Sequence, residues 1–101
     1  MIKIINGVRY DAEKATEIAS YQSPHYSSDF HSYSEILYLS PKSKWFMYGE
    51  GNAMSPYSKL YTDGRGPGKN IFAMSDSEVK EWLELHNMND VYIKYFDAED
   101  A

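Results

Sequence analysis

The stretch from Ser34 to Tyr48 limits the fold more than any other part of this chain. Ser34–Leu39 and Trp45–Tyr48 are runs rich in β-branched, aliphatic and aromatic residues. Between them stands Ser40-Pro41-Lys42-Ser43-Lys44, which is turn chemistry. The pattern predicts an antiparallel hairpin. Along its second strand Trp45 and Met47 take one face, and Phe46 and Tyr48 the other. A strand bulky on both faces needs cover on both, so helices are expected against one side and loops over part of the other. A chain of 101 residues has room for one domain, 1–101, with a thin core. The fold class expected is α+β: a small antiparallel sheet of about three strands with helices packed mainly on one face.

Other elements follow from local signals. Asn6-Gly7 between short apolar runs predicts a tight hairpin over Ile2–Tyr10, because a type I′ turn needs positive φ at both central residues. Asp11 reads as an N-cap, and Ala12, Ala15, Ile18 and Ala19 recur at helical spacing, which predicts a helix to about Tyr21. Residues 22–33 are Ser-rich and aromatic without a period and read as a loop. Ser55-Pro56 predicts one or two helical turns towards Tyr61. Thr62–Asn70 carries Gly64, Gly66, Pro67 and Gly68 and reads as a flexible loop, followed by a third strand over Asn70–Met74. Ser75-Asp76-Ser77-Glu78 matches a capping box. Val79, Trp82, Leu83 and His86 continue it as an amphipathic helix ending near Asn87. The element from Asn89 to Phe96 is read as a short helix in preference to a strand.

Charge is unevenly spread over a chain of net −5. Residues 75–101 hold eight acids against Lys80 and Lys94, a net of −6, whereas residues 1–74 hold seven acids and eight bases. The overall sign argues against general nucleic-acid binding through phosphates, so no direct nucleic-acid partner is expected. Residues 41–70, with Lys42, Lys44, Lys59, Arg65 and Lys69 against two acids, remain the one stretch that favours it. No cysteine is present, which excludes disulfides, thiol catalysis and Cys-ligated metals. No apolar run approaches the roughly 20 residues of a membrane span. A soluble protein without a membrane partner, staying in the compartment where it is made, is the expectation.

Catalytic patterns are missing. His25, Asp29 and His31 share a loop but lack the rigid spacing and third ligand of a metal site. Gly64–Asn70 fails the phosphate-loop pattern, since Asp63 and Asn70 stand where a glycine and a Ser or Thr are needed. No Gly-x-Ser-x-Gly elbow exists. The expectation is a protein that is not an enzyme, with no catalytic residues, no metal and no cofactor. Ten tyrosines are more than such a core needs, and tyrosine is enriched at interface hot spots. Tyr10, Tyr38 and Tyr48 are assigned to the sheet; Tyr26, Tyr33, Tyr57 and Tyr61 are the interface candidates. Glu81 and Glu84 lie off the apolar stripe of their helix, where they form either a solvated face or a patch that meets a basic partner. The candidate partner-binding residues are Glu50, Asn52, Tyr57, Tyr61, Glu81 and Glu84.

Two stretches carry a resemblance. Lys3-Ile-Ile-Asn-Gly-Val-Arg-Tyr-Asp11 continuing to Ala15-Thr-Glu-Ile-Ala19, and Trp45-Phe-Met-Tyr-Gly-Glu-Gly51 followed by Met54-Ser55 and Tyr57, stand ahead of the Ser75–Leu83 helix. Together they resemble a group of small proteins carried by phages and mobile elements of Gram-positive bacteria, some associated with anti-CRISPR proteins. The resemblance implies a stoichiometric inhibitor of a bacterial defence nuclease or its ribonucleoprotein complex, a type II CRISPR effector, acting in the cytoplasm of a bacterial host cell. This chain departs from the group's pattern over Thr62–Asn70. The competing reading is a mobile-element regulatory or scaffold module that binds another host protein, or itself as a homodimer.

Overall fold

Asn6 and Gly7 take φ of 49° and 78° and close a hairpin of β1 (Ile2–Ile5) and β2 (Val8–Asp11). This is the turn that the Asn-Gly pair predicts. The computed structural model describes all residues, Met1–Ala101. Its centre is a four-stranded antiparallel sheet in the order β3-β4-β5-β8. The strands are β3 (Thr16–Gln22), β4 (Tyr33–Leu39), β5 (Trp45–Gly51) and, after a two-stranded ribbon of β6 (Lys59–Tyr61) and β7 (Gly64–Gly66), β8 (Gly68–Met74). Two helices follow, α1 (Asp76–Leu85) and α2 (Asn89–Tyr95). The class is α+β with antiparallel sheets. The main sheet has four strands rather than three, and two small ribbons accompany it.

The predicted hairpin of β4 and β5 sits at the centre and divides the core. Leu37, Trp45 and Met47 meet Val79, Trp82 and Leu83 of α1, with Val91, Tyr92 and Tyr95 of α2 against the same cluster. Phe46, Tyr48 and Ile71 meet Tyr10 of β2, with Ile5, Val8, Ala12 and Ala15 alongside. The Tyr10 ring stands edge-on to Phe46 at 5.4 Å, and Tyr38 stacks on Phe46 at 5.2 Å. Strand alternation therefore sends adjacent residues of β5 into two separate clusters. One is covered by helical residues and the other by the N-terminal ribbon together with Ala12 and Ala15 of the turn that follows it.

The helix expected over Asp11–Tyr21 does not form. Asp11 ends β2, its Oδ1 accepts from the Glu13 N–H at 3.0 Å in a local turn, and β3 begins at Thr16. The four residues at helical spacing split between the clusters: Ala12 and Ala15 pack against the one containing Tyr10 and Phe46, Ile18 and Ala19 against the one containing Trp82 and Leu83. A bulge between Glu17 and Ala19 resets the strand's alternation. Thr16, Ile18 and Tyr21 favour a strand, and pairing with β4 outweighs a weak helical period.

Two further expectations give way. Ser55–Tyr61 holds no helix: the buried Ser55 donates its hydroxyl to the Asn52 carbonyl at 2.8 Å and accepts from the Tyr57 N–H. This side-chain turn takes the place of a helical start. Thr62–Asn70 is not a loose loop either, because it contains β7 and the start of β8. The Tyr61 hydroxyl donates to the Pro67 carbonyl at 2.6 Å, and Arg65 donates to Ser58 Oγ at 2.8 and 3.0 Å. At the other end Ser75 and Glu78 form the capping box in both directions. Asn89–Tyr95 is the helix preferred for that element. No helix is long and apolar enough to cross a membrane.

Candidate functional site

Register places one polar row across the whole main sheet. Gln22 pairs with Ser34, Ser34 with Glu50, and Glu50 with Lys69. The next row on the same side, two residues along each strand, is Ser20, Ile36, Tyr48 and Ile71, which begins the apolar core under β2. The N-terminal ribbon covers the apolar rows and leaves the polar row open. Above it lies a cleft of about 510 Å³, flanked by Ser27, Ser32 and Asn52 on one side and by Lys59, Tyr61 and Pro67 on the other.

The cleft is held by bonds among its own walls. Asn52 Nδ2 donates to the carbonyls of Ser27 and Asp29 at 3.0 and 2.7 Å, fastening the β5 end to the 23–32 loop. Gln22 Nε2 donates to the Tyr33 carbonyl at 3.1 Å. The Tyr48 hydroxyl donates to Glu50 Oε2 at 2.7 Å, and burial followed by this acceptor pushes the Tyr48 phenol up to about 12. Lys69 faces Glu50 across the ladder without closing an ion pair.

Three of the six sequence-derived residues, Glu50, Asn52 and Tyr61, meet in this cleft. Tyr57 does not line it. Its ring crosses Gly49, where a Cβ would fall inside the ring, and its hydroxyl donates to Glu35 Oε2. The other Glu35 oxygen accepts from Trp82 Nε1 at 3.0 Å, so one carboxylate ties the 52–58 segment, β4 and α1 together. Burial first, then the Glu35 bond, pushes the Tyr57 phenol far above its ordinary range. Tyr57 is anchored within the chain and keeps only part of its surface exposed. Glu81 and Glu84 are exposed on α1, away from the cleft lining.

Sequence reasoning missed Gln22, Ser34, Lys59 and Lys69 as neighbours, and Glu35 as a junction. They gather only through strand register, which no local pattern reveals. Among the tyrosines, Tyr26 is 88% exposed and Tyr61 49%. Tyr33 packs near Tyr21 and Tyr57. His86 stacks on Tyr21 at 3.8 Å and meets Trp82 edge-on, a packing role. Asp29 accepts from the His31 N–H at 2.7 Å and lies 3.1 Å from its Nδ1; the backbone bond first, then the ring, lowers the Asp29 carboxyl.

The charge pattern of the C-terminal quarter persists in three dimensions. All eight of its acids are exposed. Lys80 lies 5.1 Å over the Phe96 ring and Lys94 5.5 Å over the Tyr95 ring. The only close acid–base pair in the chain is Asp29 with His31. The eight carboxylates therefore face solvent without a cationic partner from their own chain. No family model, curated protein or solved structure matches this chain.

Proposed function

We propose that this protein is a non-catalytic, stoichiometric inhibitor that occupies the nucleic-acid-binding surface of a bacterial CRISPR effector nuclease. The observation that carries the reading is the uncompensated acidic surface of residues 75–101: eight exposed carboxylates, none of them in an ion pair. A row of exposed carboxylates on α1 meets a basic channel as a phosphate backbone does. Glu81 and Glu84, on the solvent side of a helix pinned by Val79, Trp82 and Leu83, are the residues assigned to first encounter. Glu50, Asn52 and Tyr61 form a second patch at the open cleft. The resemblance to mobile-element proteins points to the same class of partner.

The test is cleavage of a labelled target by purified effector ribonucleoproteins of several types, with the protein in molar excess. Inhibition that titrates at one-to-one stoichiometry, weakens with salt and is lost in Glu81→Lys/Glu84→Lys is expected. Undiminished cleavage by every effector rejects the reading. Full inhibition by the double variant removes the acidic helix from it.

A further inference from the structure

A second cavity lies apart from the acidic quarter and has the opposite sign. It measures about 420 Å³ and lies, partly open to solvent, between the β1–β2 turn and the β4–β5 turn. Arg9, Lys14, Lys42 and Lys44 line it, with Asp11 as its only acid. Four of the ten basic residues of an acidic chain thus surround one hollow. They come from β2, from the turn after it, and from the β4–β5 connection. No residue of 75–101 lines the cavity.

None of the four cations is paired with a carboxylate, so each is free for an external anion. Asp11 is engaged by the Glu13 N–H. The turn carrying Lys42 and Lys44 is held by Ser40, whose N–H donates to the Lys44 carbonyl and whose Oγ accepts from the Lys44 N–H. Ser43 takes φ of 61° there. The opposing wall is fixed by the Asn6-Gly7 turn. The backbones that present these side chains are set before any ligand arrives, which lowers the ordering cost of binding.

We propose that this basic cavity binds the phosphate backbone of a single-stranded nucleic acid. Arg9 supplies a planar fork for two phosphate oxygens, and the three lysines supply point charges. Val8 and Pro41 are the only apolar side chains in the lining and no aromatic residue lines the hollow, so the cavity contacts backbone and does not read bases. A flexible strand bends into a concave site between two turns, whereas a stiff duplex does not. The net charge of −5 does not oppose this locally. The molecule is 50 Å along its long axis, several times the Debye length of about 10 Å at 0.1 M salt, so nearby charges set the potential in the cavity. The inference stands independently of the nuclease reading. It also divides the basic stretch 41–70: Lys42 and Lys44 belong here, Lys59 and Lys69 to the open cleft, and Arg65 to Ser58.

Fluorescence anisotropy of a labelled oligothymidine with the full chain tests it. Four phosphate contacts on a single strand give a log–log salt slope of about −2.8, hence roughly 50-fold weaker binding from about 50 to 200 mM salt. Lys42→Gln/Lys44→Gln halves that slope, and Arg9→Gln/Lys14→Gln does the same if the first variant is poorly folded. Lys59→Gln/Lys69→Gln leaves it unchanged. No anisotropy change at the lowest salt overturns the proposal, as does equal loss in the Lys59/Lys69 variant. Displacement by inorganic phosphate at matched phosphate concentration overturns the assignment to a polymer, and tighter binding of a duplex overturns the assignment to a single strand.

Discussion

Gly49→Ala tests the anchor that ties the 52–58 segment to the sheet. Gly49 is buried on β5 opposite Glu35, and the Tyr57 ring occupies the space where its Cβ would stand. An alanine there displaces Tyr57 and breaks its hydrogen bond to Glu35. A bond to a charged acceptor contributes about 1.5–3 kcal/mol. Re-exposing a half-buried ring adds about 1–2 kcal/mol. The expected loss is therefore roughly 3–5 kcal/mol, a drop in Tm of more than about 12 °C for a domain of this size. Urea unfolding followed by circular dichroism measures it. Tyr57→Phe keeps the ring and removes only the bond, so it is expected to lose about 1.5–3 kcal/mol. In a Tyr57→Ala background the clash is absent, and Gly49→Ala is expected to cost less than about 1 kcal/mol. Equal costs in the two backgrounds, or a single variant within about 1 kcal/mol of the parent, would show that Tyr57 does not depend on the missing side chain.

Alkaline pH gives a second prediction. Burial holds the phenols of Tyr33, Tyr38, Tyr48 and Tyr57 above the ordinary value of 10.0, Tyr48 at about 12. The folded state keeps these protons more tightly than the unfolded chain, so stability is complete below pH 10 and falls as pH rises towards 12; flat or rising urea midpoints between pH 9 and 11 would contradict this. Leu83→Ala, at a fully buried position between α1 and the sheet, is expected to cost about 2–5 kcal/mol in the same unfolding assay. Ser75→Ala removes the capping box and is expected to cost about 1 kcal/mol, with α1 amides near Glu78 losing hydrogen-exchange protection. Glu81→Lys/Glu84→Lys changes exposed groups without partners, so stability is expected to stay within about 0.5 kcal/mol, while the nuclease inhibition proposed above is expected to be lost in the cleavage assay.

Elements defined by contiguous chemistry were legible without coordinates. The Asn6-Gly7 turn, the β4–β5 hairpin and the Ser75–Glu78 capping box each depend on dihedral preferences or hydrogen bonds within a few residues. The acidity of residues 75–101 was equally legible, because formal charge needs no geometry. The segment 12–21 misled because Ala12, Ala15, Ile18 and Ala19 satisfy a helical period while serving two different cores. Its strand is decided by β4, a partner that begins eleven residues after it ends. Glycine-rich 62–70 misled in the same way, since its order comes from Tyr61, Ser58 and β5.

Sequence alone determined which short elements could form and where the negative charge lies. Tertiary structure alone decided the open polar row of Gln22, Ser34, Glu50 and Lys69, the Tyr57–Glu35–Trp82 junction, and the gathering of Arg9, Lys14, Lys42 and Lys44. The physical reason is that strand register and the packing of one sheet face under a ribbon are long-range choices. Residues far apart along the chain become neighbours only once burial of Phe46, Tyr48 and Ile71 has fixed those choices.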